Sequence, residues 1–246
     1  MKTLSEAVIL MAGIGSRLRV HHKDFPKPLT PVRGRPLISY TIDALTRSGI
    51  RAITAVVGYE SEALMRGVKT LMPHDVQLRF VENREWRKQN GISLLAAKDV
   101  VTTPFFLTMS DHIFDAAIVD LIREGGARDQ LSIAIDRKLD SIFDIDDATK
   151  VQTRGRGIAG IGKDLQQFDA IDTGVFVCPP EIFAYLERAR RDGDCSLTDA
   201  VRLMAAEDKV RCIDIGNAWW QDVDTAEMLQ QAEKIIARTG SVVTAA

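Results

Sequence analysis

The chain has 246 residues, 46% of them hydrophobic and 27% charged, and a net charge of −2. That much apolar sequence supports one large core and excludes a disordered chain, while the near balance of charge excludes a general attraction to nucleic acid or anionic membrane; basic residues must serve local anions. Cys178, Cys195 and Cys212 are odd in number and far apart, with no CxxC pair and no His at zinc-finger spacing, which predicts three unpaired thiols in a reducing, cytoplasmic setting.

In chain order, residues 7–12 are an apolar run read as the first buried strand. The run is too short for a signal peptide, and no stretch reaches the roughly 18 apolar residues of a membrane span, so a soluble protein without direct membrane insertion is expected. Residues 37–47 place Leu37, Tyr40, Thr41, Ala44 and Leu45 on one helical stripe, ended by Gly49. A strand is predicted at 52–57, a helix at 61–72 stopped by Pro73, a strand at 76–82, a helix at 91–100 that Asn90 could cap, and a strand at 105–109 that delivers Asp111. Short strands follow at 131–136, 149–152, 157–161 and 171–177, then helices at 181–190 and 197–206, a strand at 210–215 and a closing helix at 225–238. The last few residues are expected to fray.

Alternating strands and helices predict an α/β fold: a Rossmann-like mixed, mostly parallel sheet with helices on both faces and a small β-rich subregion. We expect a single domain over 1–246, with a nucleotide-binding part at 1–130, an acceptor-binding part at 131–224 and a closing C-terminal helix at 225–246. Open sheets bind ligands beyond the carboxyl ends of their strands, where both the loop after the first strand and Asp111 should lie.

That loop reads GIGSR at 13–17, followed by PKPL at 26–29. Gly13 and Gly15 let backbone N–H groups approach anionic oxygens, Arg17 adds a forked cation and Lys27 a point-like one. A lone GxG is often only a tight turn. The dinucleotide fingerprint would need glycine at position 18, which is Leu18, and the Walker GK[ST] is absent, so neither familiar phosphate loop fits. The distant partners Asp111, Asp222 and Asp224 are candidate metal ligands.

The GxGxR loop, the PKPL lysine, the strand-end aspartate and the late WxD motif together resemble the nucleotidyltransferase superfamily that activates sugar and alcohol phosphates. The segments NGISLLAA at 90–97, MSDH at 109–112, DDATK at 146–150, IGKDL at 161–165, FDAIDTG at 168–174 and DVDT at 222–225 look like the CTP:inositol-1-phosphate cytidylyltransferases, known as one half of bifunctional enzymes making di-inositol phosphate. The resemblance spans nearly the whole chain. It implies Mg2+-dependent transfer of CMP from CTP to inositol 1-phosphate, giving CDP-inositol and pyrophosphate. A separate membrane-embedded CDP-alcohol phosphotransferase would act downstream, since no synthase half follows. A phosphate monoester has a second pKa near ~6, so its oxygen needs no general base.

Carried over by motif, Ala12, Gly13, Gly15 and Ser16 would cradle the triphosphate. Arg17 would hold the β- and γ-phosphates and Lys27 would bridge the α-phosphate and the acceptor phosphate. Asp111 and Asp222 would hold Mg2+, with Asp224 in reserve. Asn83, Asn90, Gly91 and Ser93 would face the base, although Asn83 fits a surface position and Asn90 an N-cap equally well. On the acceptor side stand Lys150 and Lys163 for the phosphate and Asp144 and Asp172 for ring hydroxyls. Gly174 would allow close approach of the acceptor or form a β-bulge, and Lys150 could instead be a solvated strand residue.

His112 is given an indirect role beside Asp111. His21, His22 and His74 default to solvent, Trp219 and Trp220 to core or crevice wall, and Arg84, Arg87 and Lys88 to a solvated face or a lid. A sugar-1-phosphate nucleotidylyltransferase is the main alternative, although its usual Glu-Lys pair is Gly162 and Lys163 here. A phosphocholine enzyme should offer an aromatic cage, for which only Phe143 and Phe168 lie nearby. A silent nucleotide-binding regulator is disfavoured by the presence of Arg17, Lys27, Asp111 and Asp222.

Overall fold

The first apolar run forms β1, Glu6–Met11, at the centre of a nine-stranded sheet in the computed structural model of the chain, which describes residues 4–19, 25–127 and 129–238. A short helix, α1 (Ser16–Arg19), and a single 3-10 turn at Lys27–Leu29 follow, then a two-residue ribbon of β2 (Pro31–Val32) and β3 (Arg35–Pro36). Next come α2 (Leu37–Arg47), β4 (Ala52–Val57), α3 (Ser61–Leu71), β5 (Gln77–Glu82), α4 (Asn90–Leu95) and β6 (Phe105–Met109). Strands β5, β4, β1 and β6 run parallel, with Ala7 opposite Ile53 on one side and Phe106 on the other. Their carboxyl ends therefore open on one edge.

The chain then forms β7 (His112–Phe114), α5 (Ala116–Gly125), β8 (Leu131–Asp136), β9 (Lys150–Arg154), β10 (Gly157–Gly162) and β11 (Ala170–Cys178). It closes with α6 (Ile182–Ala189), α7 (Leu197–Ala206), β12 (Val210–Asp214), β13 (Trp220–Asp222) and α8 (Ala226–Arg238). The predicted mixed sheet is present. Strand β11 runs antiparallel to β6 and carries β8 and β9 with it, so the short strands after residue 130 extend the same sheet.

Period-two alternation on β1 divides the core. Val8 and Leu10 pack with α4, α6 and α7, whereas Ala7, Ile9 and Met11 pack with α2, α3 and α5. A third cluster joins Leu18, Leu37 and Ile113 to Val223 and Leu229, docking α8 near the cleft. Helix α7 begins on a capping box in which Ser196 and Asp199 satisfy each other's backbone N–H groups.

Helix α2 matches its expected bounds and ends before Gly49, whose φ of +84° suits a residue without a Cβ. Helix α4 is shorter than expected. Beyond Leu95 the chain tightens, with Lys98 N–H donating to Leu95 O and Val100 N–H to Ala97 O, where Lys98, Asp99 and Val100 all lie exposed and no buried stripe continues. Helix α5, capped by the Asp115 carboxylate on Ala117 N–H, had no counterpart in the sequence reading.

Among the described residues no helix is long and apolar enough to cross a membrane. Cys178, Cys195 and Cys212 are free thiols, the first two buried. His21, His22 and residues 239–246 lie outside the described residues.

Candidate active site

A cleft of about 770 Å³ lies beyond the carboxyl ends of β1 and β6. Its floor is set by hydrogen-bonded neighbours: Ser110 N–H donates to Leu10 O, and Tyr59 N–H to Ala12 O. Ala12, Gly13 and Gly15 line it from the loop after β1.

The two glycines do different work. A Cβ built on Gly13 meets no protein atom within 4 Å, so the protein itself does not require glycine there. A Cβ on Gly15, whose φ is +63°, would lie 2.4 Å from Lys27 Cδ. Gly15 thus makes room for the Lys27 stem. Gly13→Ala is expected to change stability by less than about 0.5 kcal/mol while weakening nucleotide binding, because only a ligand can meet its methyl. Gly15→Ala should cost about 1–2 kcal/mol from its backbone angle alone and also displace Lys27. Chemical denaturation set beside nucleotide titration separates the two.

Lys27 is buried, and its ammonium donates to Asp111 Oδ2 at 2.6 Å and to Asp224 Oδ1. Burial alone would lower its pKa, but Asp111 and Asp224 outweigh that and raise it. Asp111 shows the converse balance: burial pushes its carboxyl up, and Lys27 and His112 hold it well below the usual range. His112 Nδ1 lies 2.7 Å from Asp111 Oδ1, and its ring stacks on Trp220 at 6.0 Å. Trp220 is fixed in turn by its Nε1–H donating to the buried Asp136 at 3.0 Å.

The aspartates from residues 111 and 222–224 meet because β7 and β13 pair antiparallel. His112 stands opposite Asp222, and Val223 N–H donates to Asp111 O at 2.9 Å. Asp222 has no salt bridge among the described side chains; burial raises its pKa, with Asp224 and Asp111 adding to the shift against His112 and Lys27. Arg17 is exposed and does not itself line the cleft, but it donates to two carboxylates that do, Asp224 Oδ2 at 2.5 Å and Asp147 Oδ2 at 2.8 Å. Ser16 is exposed and does not line the cleft.

Several expected contacts go elsewhere. Asn83 is buried away from the cleft, its amide N–H donating to Ser93 Oγ and its oxygen accepting from Glu85 N–H. A Cβ on Gly91 would meet Cys195 O at 2.5 Å, so its close approach is to protein, not to a base. Asn90 lines the cleft but does not cap its own helix: its oxygen accepts from Leu197 N–H, an end group of α7. Ser93 also lines the cleft, as do Trp86 and Lys88 of the neighbouring loop.

On the opposite wall, Asp144, Lys163, Asp172 and Gly174 line the cleft. Lys150 does not, and neither is it solvated. It is buried, and its ammonium holds the carbonyls of Asp146 and Lys163 at 3.0 and 2.7 Å. Gly174, with φ of +73°, sits where the β11 register shifts, and a Cβ there would meet His112 Nε2 at 2.5 Å. The register shift agrees with the bulge reading, and the His112 ring fills the Cβ side of Gly174, while the residue itself lines the cleft.

Asp172 accepts from Gly174 N–H at 2.8 Å. Burial raises its pKa to about 6, against that hydrogen bond and His112. A folded-state value above the unfolded one means that stability is greatest below about pH 4 for this group and is lost as pH rises through about 6. Asp172→Asn should therefore gain stability over wild type at pH 8 and lose the advantage near pH 4, as read by denaturant midpoints at the two pH values.

Sequence reasoning missed Asp147, Asp136 and Lys138. Asp136 and Lys138 pair at 2.8 Å on the cleft wall, and nothing in their spacing marks them. Asp147 lies inside the DDATK segment, but adjacent acidic residues give no sign of which one turns inward.

Among the described residues no group of three or more His, Cys, Asp or Glu is arranged as a ready metal cage. The donor chemistry nonetheless suits Mg2+. Asp222 lies half-buried beside Asp111 with no salt bridge to a described side chain, and Mg2+ is commonly held by one or two carboxylates plus substrate phosphate oxygens.

The chain is 33% identical over 233 residues to a bifunctional IPC transferase and DIPP synthase of Aquifex aeolicus, covering 95% of this chain and 52% of that one. It is 34% identical to the protein of the same name from Thermococcus kodakarensis, covering 51% of it. The chain thus spans about half the length of these curated relatives. The solved structure of the inositol-1-phosphate CTP transferase from T. maritima is similar over 99% of both chains, with a TM-score of 0.84 at 27% identity. Residues 7–206 match the MobA-like NTP transferase domain, and the chain belongs to that family.

Proposed function

We propose that this protein transfers CMP from CTP to inositol 1-phosphate, producing CDP-inositol and pyrophosphate. The observation that carries the reading is the buried Lys27 ammonium, held between Asp111 and Asp224 beside the glycine loop in a cleft whose far wall presents Lys163. The likeness to the inositol-1-phosphate CTP transferase from T. maritima, which extends over both whole chains, supports the choice of base and acceptor.

In this reading residues 1–130 carry the nucleotide and residues 131–224 the acceptor. Ala12, Gly13 and Gly15 offer backbone groups to the triphosphate, and Arg17 engages its outer phosphates. Ser93 and the side chain of Asn90 stand at the base end. Asp144 and Asp172 accept from ring hydroxyls, and Lys163 takes the acceptor phosphate. An ionised oxygen of that phosphate attacks the α-phosphorus, the bond from the α-phosphorus to the oxygen bridging to the β-phosphorus breaks, and pyrophosphate leaves with the electron pair. Lys27 reaches both reacting phosphates and lessens their mutual repulsion. When bound by Asp111 and Asp222, Mg2+ supplies charge neutralisation on the phosphate oxygens.

Pyrophosphate release in the presence of Mg2+ tests the proposal, with four nucleoside triphosphates against inositol 1-phosphate, phosphocholine, glycerol 3-phosphate and glucose 1-phosphate. We expect turnover with CTP and inositol 1-phosphate. Preference for a nucleoside triphosphate with glucose 1-phosphate would move the function to sugar activation, and turnover with none would overturn the assignment as an enzyme of this class.

A further inference from the structure

One carboxylate ties the two walls of the cleft together. Asp147 accepts from Arg17 Nη1 through Oδ2 at 2.8 Å and from Lys163 Nζ through Oδ1 at 2.6 Å. Arg17 belongs to the nucleotide side and Lys163 to the acceptor side, so both cations are engaged by one internal anion.

The turn carrying Asp147 is braced. Its own N–H donates to Asp144 Oδ1 at 3.4 Å, Ala148 N–H to Asp144 O at 3.1 Å, and the Lys150 ammonium joins the Asp146 and Lys163 carbonyls. Asp147 and Lys163 are thus fastened to one wall, and the bond to Arg17 crosses to the other. The side chains of Arg17, Asp147 and Lys163 are 49%, 35% and 55% exposed, which leaves both pairs open to competition by a phosphate. Burial pushes the Asp147 carboxyl up, but hydrogen bonds from Lys163 and Arg17 outweigh this and hold it below its usual range, so it is charged at neutral pH.

We propose that Asp147 is a positioning residue that occupies the phosphate-binding cations until substrate arrives, and that its displacement couples triphosphate binding to acceptor-phosphate binding. The inference rests on the roles given above to Arg17 and Lys163. Whichever anion arrives first breaks one of the two bonds to Asp147. The part-exposed carboxylate, no longer anchored at both ends, is then free to turn toward solvent, so the second anion meets the remaining cation less firmly held, and linkage makes the help mutual. Two polyanions in one cleft would otherwise repel and weaken each other's binding. The sign of the coupling therefore reports on Asp147.

The test is calorimetric titration of wild type, Asp147→Asn and Asp147→Glu at fixed Mg2+, using inorganic tripolyphosphate first and then inositol 1-phosphate with and without saturating tripolyphosphate. Asp147→Asn should bind tripolyphosphate alone about two- to fivefold more tightly, the range of an exposed ion pair. In wild type, tripolyphosphate should strengthen inositol 1-phosphate binding; in Asp147→Asn it should leave it unchanged or weaken it, and Asp147→Glu should restore the gain. Unchanged tripolyphosphate affinity in Asp147→Asn, or coupling that persists in it, overturns the proposal. Should inositol 1-phosphate bind under neither condition, the acceptor assignment falls, while the tripolyphosphate comparison, which involves neither base nor polyol, still decides on Asp147.

Discussion

Asp111→Asn is expected to lower kcat for pyrophosphate release by about 10²–10³-fold, the usual cost of removing one charged group that acts on phosphate in the transition state. The fold should survive. Asp111 Oδ2 receives Lys27 and Oδ1 faces His112 Nδ1. In the variant the amide oxygen can keep the lysine, while the amide N–H₂ can donate to a neutral His112 whose Nδ1 has become the acceptor. Lys27 also retains Asp224, so the loss of stability should stay below the roughly 3–5 kcal/mol of a fully broken buried pair. Turnover at saturating substrates, its midpoint in Mg2+ concentration and a thermal melt would be read together. A variant that releases pyrophosphate at the wild-type rate would remove Asp111 from the reacting site.

Lys27→Ala should be as severe in turnover and far more severe in stability. Its ammonium is the cation between two partly buried carboxylates, and without it Asp111 and Asp224 are left facing one another. The expected cost is about 3–5 kcal/mol of folding stability, together with a loss of about 10²–10³ in kcat. The two effects separate on adding Mg2+. A divalent cation can replace the missing charge between the carboxylates and raise the melting temperature, but it cannot restore a bridging ammonium at the reacting phosphates. Stability should therefore recover further than kcat. Lys27→Arg should not rescue, since the stem is fixed against Gly15 and a planar guanidinium fork cannot take the place of the compact ammonium set between Asp111 and Asp224. Wild-type kcat in Lys27→Ala would contradict the catalytic role outright.

Much of the scaffold was legible because it depends on local periodicity. β4, β6, α2 and α7 fall on their expected bounds, each carrying either a continuous apolar run or a clear buried stripe. The ribbon of β7 and β13 was not legible. Three-residue strands are too short to show a period, and their pairing joins residues more than a hundred positions apart. That ribbon is nevertheless what brings Asp222 and Asp224 to Asp111.

The site divides in the same way. Gly13, Lys27, Asp111 and Lys163 were read from motifs and do line the cleft. Asn83, Gly91 and Lys150 were read with them, yet their polar groups or close approaches are taken by Ser93, Cys195 and the carbonyls of Asp146 and Lys163. A polar residue within a motif has the same appearance in sequence whether it faces a ligand or satisfies a buried backbone group.

The sequence by itself determined the parallel core, the glycine loop at its edge and the supply of lysine, arginine and aspartate there, because hydrophobic spacing and backbone freedom act over a few neighbouring residues. Only the tertiary structure decided which charges meet: Lys27 between Asp111 and Asp224, and Asp147 between Arg17 and Lys163. Those pairings join residues brought together by β-pairing and loop closure, and electrostatic partners are chosen by distance in space, which no local pattern records.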